Sequence, residues 1–149
     1  MGLTLLVCGT LDISDAMVYY ALRFHVAPER LLQNIASHLI GRSAFSGGLR
    51  DAVLGLALHY LIATFWIATF VMAAQHVTIL FERPILCGAL YGMFIYCVMN
   101  FLILPFTRNA SAFSPDIFSL VNGVMALVVF MGILVALLNR RFAPPPLTA

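Results

Sequence analysis

Two carboxylates, Asp12 and Asp15, stand inside the first long apolar stretch of the chain, GLTLLVCGTLDISDAMVYYALR over residues 2–23. An aspartate at the centre of a membrane helix costs upward of about 2.5 kcal/mol, so the pair should face other helices, water or a partner rather than lipid. Each further apolar stretch carries a polar residue of its own: His59 in the second, Asn100 in the third and Asn122 in the fourth, while Asn34 and His38 lie in the segment between the first two. A carboxylate held near a histidine inside a membrane is suited to taking up and releasing a proton or to holding an ion. Two Asp and a His are also the donor types of a divalent-metal site. The HExxH and GxSxG signatures are missing, so no catalytic set, metal ligands or cofactor are expected.

The elements that must position these residues follow from hydropathy. Of 149 residues, 62% are hydrophobic and only 9% charged, with a mean hydropathy of +1.01. A soluble domain averages about 25% charged residues, so this composition is that of an integral membrane protein, all-α, with no room for a separate soluble domain. Four spans are predicted, at about 3–22, 52–74, 85–104 and 117–138, forming a four-helix bundle. Between the first two, Pro28 and Gly41 bracket a helix over about 28–40, too short to cross and therefore interfacial or re-entrant. Its residues Leu31, Leu32, Ile35 and Leu39 share one face, and Asn34, Ser37, His38 and Gly41 another. The tail from about 142 to 149, rich in proline, is expected to be disordered.

Within the first span Gly9, Asp12, Ala16 and Tyr19 fall on one face. The third span carries Gly88 and Gly92 in a GxxxG pattern that lets two helix backbones approach closely. Depth along the helices suggests one site. Asp15 lies eight residues from Arg23 and His59 eight residues from Asp51, both about 12 Å deep at 1.5 Å per residue. Asn100 and Asn122 come out at about 7 to 8 Å by the same count. We therefore expect one polar pocket built from Asp12, Asp15, His59, Asn100 and Asn122, roofed by residues 30–48. The competing reading of the same residues is interhelical hydrogen bonding, and for Asn122 that reading is the stronger.

The charge pattern excludes other classes. The basic residues are eight arginines and no lysine, and the net charge of +2 makes neither a nucleic-acid footprint nor a polybasic lipid patch. Cys8, Cys87 and Cys97 fall inside spans without metal-type spacing and read as apolar packing residues. No basic region precedes the first apolar run, so it is expected to remain as a span rather than be cleaved as a signal peptide.

The elements GTLDI (Gly9 to Ile13), LLQNIAS (Leu31 to Ser37), LHYLIA (Leu58 to Ala63) and RPILCGALYG (Arg83 to Gly92) resemble those of small uncharacterised bacterial inner-membrane proteins of the YagU-like kind. The end of the third span, Cys97 to Asn100, adds to this likeness, which covers roughly residues 9–106. It implies a four-span inner-membrane protein with both termini cytoplasmic and brings no catalytic residues with it. Arginine counts alone would instead put the side of Arg23, Arg30, Arg42, Arg50 and Arg108 in the cytoplasm.

Three functions remain in competition. In the first, Asp12 or Asp15 exchanges a proton with His59 as partner in a transport or ion pathway, and because four spans are few for a carrier, a homo-oligomer in the lipid membrane is expected. In the second, the Gly88–Gly92 face and the Asp–His link serve assembly of a structural subunit. The third is a metal-dependent membrane enzyme.

Overall fold

In the computed structural model, residues 2–109 and 116–142 are described, and every element among them is helical. Four helices are long and apolar enough to cross a membrane: α1 (Gly2–Phe24), α3 (Gly48–His76), α5 (Pro84–Phe106) and α6 (Ile117–Phe142). The chain is a multi-pass, all-α membrane four-helix bundle with a shorter helix, α2 (Pro28–Ile40), between the first two spans. A further short helix, α4 (Thr78–Glu82), links α3 to α5. The proline-rich tail beyond Phe142 and most of the polar loop after α5 lie outside the described residues.

The bundle is built around small side chains and aromatics. Cys8, Ala63, Trp66, Ile67, Phe70, Ile95, Met131 and Val135 form its buried centre. Leu6, Leu61, Phe65, Leu90, Phe101 and Val121 face outward, as expected where the surroundings are hydrocarbon. All three cysteines are free.

The glycines of α5 are used within the chain. A Cβ at Gly88 would lie 2.8 Å from the Gly132 carbonyl oxygen and the Ile133 Cα, and one at Gly92 would lie 2.5 Å from the Leu127 carbonyl oxygen and the Val128 Cα. Gly132 of α6 returns the same fit against the Gly88 carbonyl. Removing Cβ from both sides lets the two backbones touch, which in lipid substitutes packing for a hydrophobic driving force. Each of these helices also widens into a π-helical stretch, Val98–Ile103 in α5 and Leu127–Ile133 in α6. Such turns are frequent beside functional sites.

The placement of α2 departs from the expected leucine face. Its buried residues are Leu31, Gln33, Ala36 and Ser37, whereas Leu39 is left exposed. The reason is its close approach to α3: the Leu32 carbonyl fills the space a Cβ would need at Gly55, so only small or well-bonded side chains fit between the two helices. Gln33 donates to the Gly48 carbonyl at 3.1 Å, and Arg30 donates to the Phe45 carbonyl at 3.0 Å while lying 4.3 Å from the Phe45 ring centroid. These contacts hold the turn between α2 and α3.

The other end of α2 is tied to the exit of α5. Arg108 N–H donates to the His38 carbonyl at 3.1 Å, and the His38 Nδ1 and Thr107 hydroxyl are 2.8 Å apart. Thr107 gives its own hydrogen to the Leu104 carbonyl at 2.7 Å, so His38 is the donor to Thr107. Asn109 donates to the Ser37 hydroxyl at 2.7 Å and reaches Asn34 at 3.5 Å. At the start of α6, Asp116 accepts from Phe118 N–H, Ser119 N–H and the Ser119 hydroxyl. The Ser119 hydroxyl bond, with the Ser119 amide behind it, holds this N-capping carboxyl below its ordinary range.

Candidate functional site: two cavities meeting at Asp12

Asp12 lines two cavities. The larger, of about 420 Å³, is walled by α3, α5 and α6 and covered at one end by Ile35, His38 and Leu39 of α2. Its lining is apolar, with Leu58, Ile62, Trp66, Met99 and Met131 among the walls, and its polar groups are Asp12, His59, His38 and Thr107. The smaller, of about 350 Å³, lies between α1, α5 and α6 and is lined by Asp12, Asp15, Tyr19, Tyr96, Ser119, Asn100 and Asn122. The single expected pocket is thus divided, and Asp12 is the polar residue common to both halves, which also share Leu104 and Leu127.

Asp15 is paired with Asn122, not with His59. The Asn122 amide donates to the Asp15 carboxylate at 2.9 Å, joining α1 to α6. One turn further toward the same end, the Tyr19 hydroxyl meets Ser119 at 3.0 Å. Since Ser119 already donates to Asp116, Tyr19 is the donor here.

His59 Nε2 lies 2.9 Å from the Gly9 carbonyl oxygen. A carbonyl can only accept, so Nε2 carries the hydrogen and Nδ1 of the neutral ring is left as an acceptor. Gly9 lies six residues beyond Asp15 along α1, counted from Arg23, about 9 Å at 1.5 Å per residue. Equal counts from Arg23 and Asp51 place Asp15 and His59 at one level only if those two residues are themselves level, and the His59–Gly9 bond shows that they are offset along the helix axes. Gly9 also lets Tyr60 in close, with 3.0 Å between its ring and the position of a Cβ, and Tyr60 bonds Thr10 at 2.7 Å.

Asn100 lines the smaller cavity but turns its amide back to the Tyr96 carbonyl at 2.9 Å, inside its own helix. Asn34 lies outside both cavities and His38 lines the larger one. Among the described residues the Asp12 carboxylate has no hydrogen-bond partner, and Trp66 Nε1 is the unpartnered side-chain polar atom that is fully buried. No cluster of three His, Cys, Asp or Glu side chains with metal-holding geometry occurs among the described residues.

Several contributors carry little signal in the sequence: Thr107 and Asn109 fall in the short polar stretch after α5, and Gly132 stands among apolar residues of α6 with no partner glycine at GxxxG spacing. Trp66 belongs to the buried centre and also walls the larger cavity beside Tyr91, whose hydroxyl donates to the Trp66 carbonyl at 2.7 Å.

No family model matches the chain, and no curated protein or solved structure matches it either. Fold and site alone therefore define the class: a multi-pass α-helical membrane protein with an unpaired carboxylate between its helices.

Proposed function

We propose that this protein is a proton-linked pathway for a small solute in a bacterial inner membrane, with both termini in the cytoplasm and Asp12 as the group that gives up and regains the proton. The observation that carries this reading is that Asp12 has no hydrogen-bond partner among the described residues, at the point where the two cavities meet. A carboxylate used only to join helices would be bonded across them, as Asp15 is to Asn122. The titratable groups around Asp12 are Cys8, Asp15, Tyr19 and Tyr20 on its own helix, His59 from α3, Tyr96 from α5 and His38 from α2, while α6 presents the neutral Asn122. The resemblance to YagU-like inner-membrane proteins supports the cellular location. The glycine face of α5 is already filled by α6, which weakens the reading as a subunit assembled through it.

The test is proton entry into liposomes holding the purified protein and a trapped pH-sensitive dye, driven by a potassium-diffusion potential. Wild-type protein should accelerate entry over empty liposomes, and Asp12→Asn should return it to the empty level. Equal rates for wild type and Asp12→Asn would overturn the proposal.

A further inference from the structure

We propose that the larger cavity binds a lipophilic ammonium, that is, a protonated amine carried on an apolar aromatic or aliphatic body. This rests on the reading above, that the cavity takes a small solute, and names the solute's class. The volume of about 420 Å³ falls in the range that encloses a compact organic molecule. Its apolar walls select an apolar body.

The polar groups select the charge. Asp12 offers carboxylate oxygens without a partner. His59 donates its one hydrogen to Gly9 and keeps Nδ1 as an acceptor, and His38 donates Nδ1–H to Thr107 and keeps Nε2 as an acceptor. Thr107 has spent its hydrogen on Leu104. Among the described residues no arginine lines the cavity, and burial lowers the pKa of His38 from its ordinary value, which keeps that ring neutral near pH 7. Apart from the Trp66 indole N–H, which is fully buried, the cavity's polar groups offer acceptors once Asp12 is ionised, and none of them is a lysine or arginine. A ligand that supplies N–H donors and a cation satisfies them, whereas an anion would meet Asp12 with no counter-charge. Trp66 lines the same cavity, and an indole is the aromatic group that attracts a cation best.

One carboxylate cannot hold a proton and serve as counter-ion at once. Binding breaks the Asp12 carboxyl O–H bond, the proton leaves to water, and the carboxylate accepts a hydrogen bond from the ammonium with no change in oxidation state.

The sequence has a single tryptophan, Trp66, so its fluorescence reports occupancy. Full-length protein in phosphatidylcholine liposomes is titrated with 2-(4-bromophenyl)ethylamine, whose bromine quenches the indole, and with the matching alcohol and 3-(4-bromophenyl)propionate. The expected result is saturable quenching by the amine, about tenfold tighter than by the alcohol, as one desolvated cation interaction supports. In Asp12→Asn the amine should fall to the level of the alcohol. Equal affinity for amine and alcohol, or tighter binding of the carboxylate, overturns the proposal and makes the cavity an apolar or lipid-chain site. The wild-type comparison needs no variant, so a misfolded Asp12→Asn does not shield it. Amine binding without Asp12-dependent proton entry removes the pathway reading but keeps the ligand class. Proton entry without amine preference removes the ligand class alone.

Discussion

Gly92→Ala places one methyl group where two helix backbones meet. The added Cβ would lie 2.5 Å from the Leu127 carbonyl oxygen and the Val128 Cα, backbone atoms that no rotamer change can move aside. Ordinary contact begins at 3.4 Å, so α5 and α6 must part by about 0.9 Å here. A gap of that size forfeits roughly a quarter to a half of each dispersion contact across the interface, and overpacking of this kind costs about 1–3 kcal/mol. The better helix propensity of alanine returns less than about 1 kcal/mol, leaving a net loss of about 1–2 kcal/mol. For a chain of this length that is a fall of about 2–8 °C in melting temperature. Trp66 fluorescence in detergent is a suitable readout, because its ring lies 6.3 Å from Tyr91 and 6.1 Å from Phe94, the neighbours of Gly92. Gly123→Ala is the matched control on the facing helix. Its Cβ would meet only the Tyr96 ring, at 3.3 Å, and a side chain can yield by that little. Gly123→Ala should melt close to wild type. If Gly92→Ala melts as high as Gly123→Ala, the close packing of α5 on α6 is wrong.

Two further outcomes test the polar contacts. Asn122→Ala should destabilise the bundle, and a double-mutant cycle with Asp15→Ala in chemical unfolding should give a coupling of about 0.6 kcal/mol, the average for interhelical hydrogen bonds in membranes, and at most about 1.7 kcal/mol; zero coupling would refute the pair. Because burial lowers the pKa of His38, the undocked form of α2 binds the proton more readily. Docking should therefore hold fully above the ordinary value of 6.5 and weaken as pH falls below it toward the lowered value. Hydrogen exchange of residues 28–40, corrected for the intrinsic pH effect, should rise one unit below 6.5 relative to one unit above, and His38→Leu should remove the difference. Asp12 and His59 line the same cavity, so the His38→Leu comparison is what assigns the response.

Hydropathy and helix punctuation made the elements legible from sequence. Pro28 and Gly41 bracket α2 as expected, with Gly41 in the left-handed region at φ 79°. Axial registration proved harder: equal counts from Arg23 and Asp51 put Asp15 and His59 at one level, whereas the His59–Gly9 bond shifts α3 by about 9 Å along α1. Which residues face each other depends on axial shift and rotation between helices, and in this chain both are set by backbone contacts at Gly55 and at Gly88, Gly92 and Gly132. A GxxxG pattern announces such a contact but not its partner. The walls of the larger cavity were illegible for a related reason: Ile62, Met99 and Met131 are ordinary apolar residues, and only the widened turns of α5 and α6 bring Met99 and Met131 around an open volume.

The two aspartates that dominate the first span come to have different surroundings only in three dimensions. They are three residues apart on one face of α1, yet the amide of Asn122 reaches Asp15 alone, because α6 enters the bundle at Asp116 and passes α1 with its polar turn at the level of Asp15. Further along α1 the contacts of α3 take over, and there the histidine that could have met Asp12 spends its hydrogen on the Gly9 carbonyl. Asp12 is thus left between the reach of two neighbouring helices. Polar groups inside a membrane are ordinarily retained for structure or for function. In this bundle the structural share falls to Asp15, and Asp12, unpartnered among the described residues, is the group on which the proposed proton pathway and ammonium site rest.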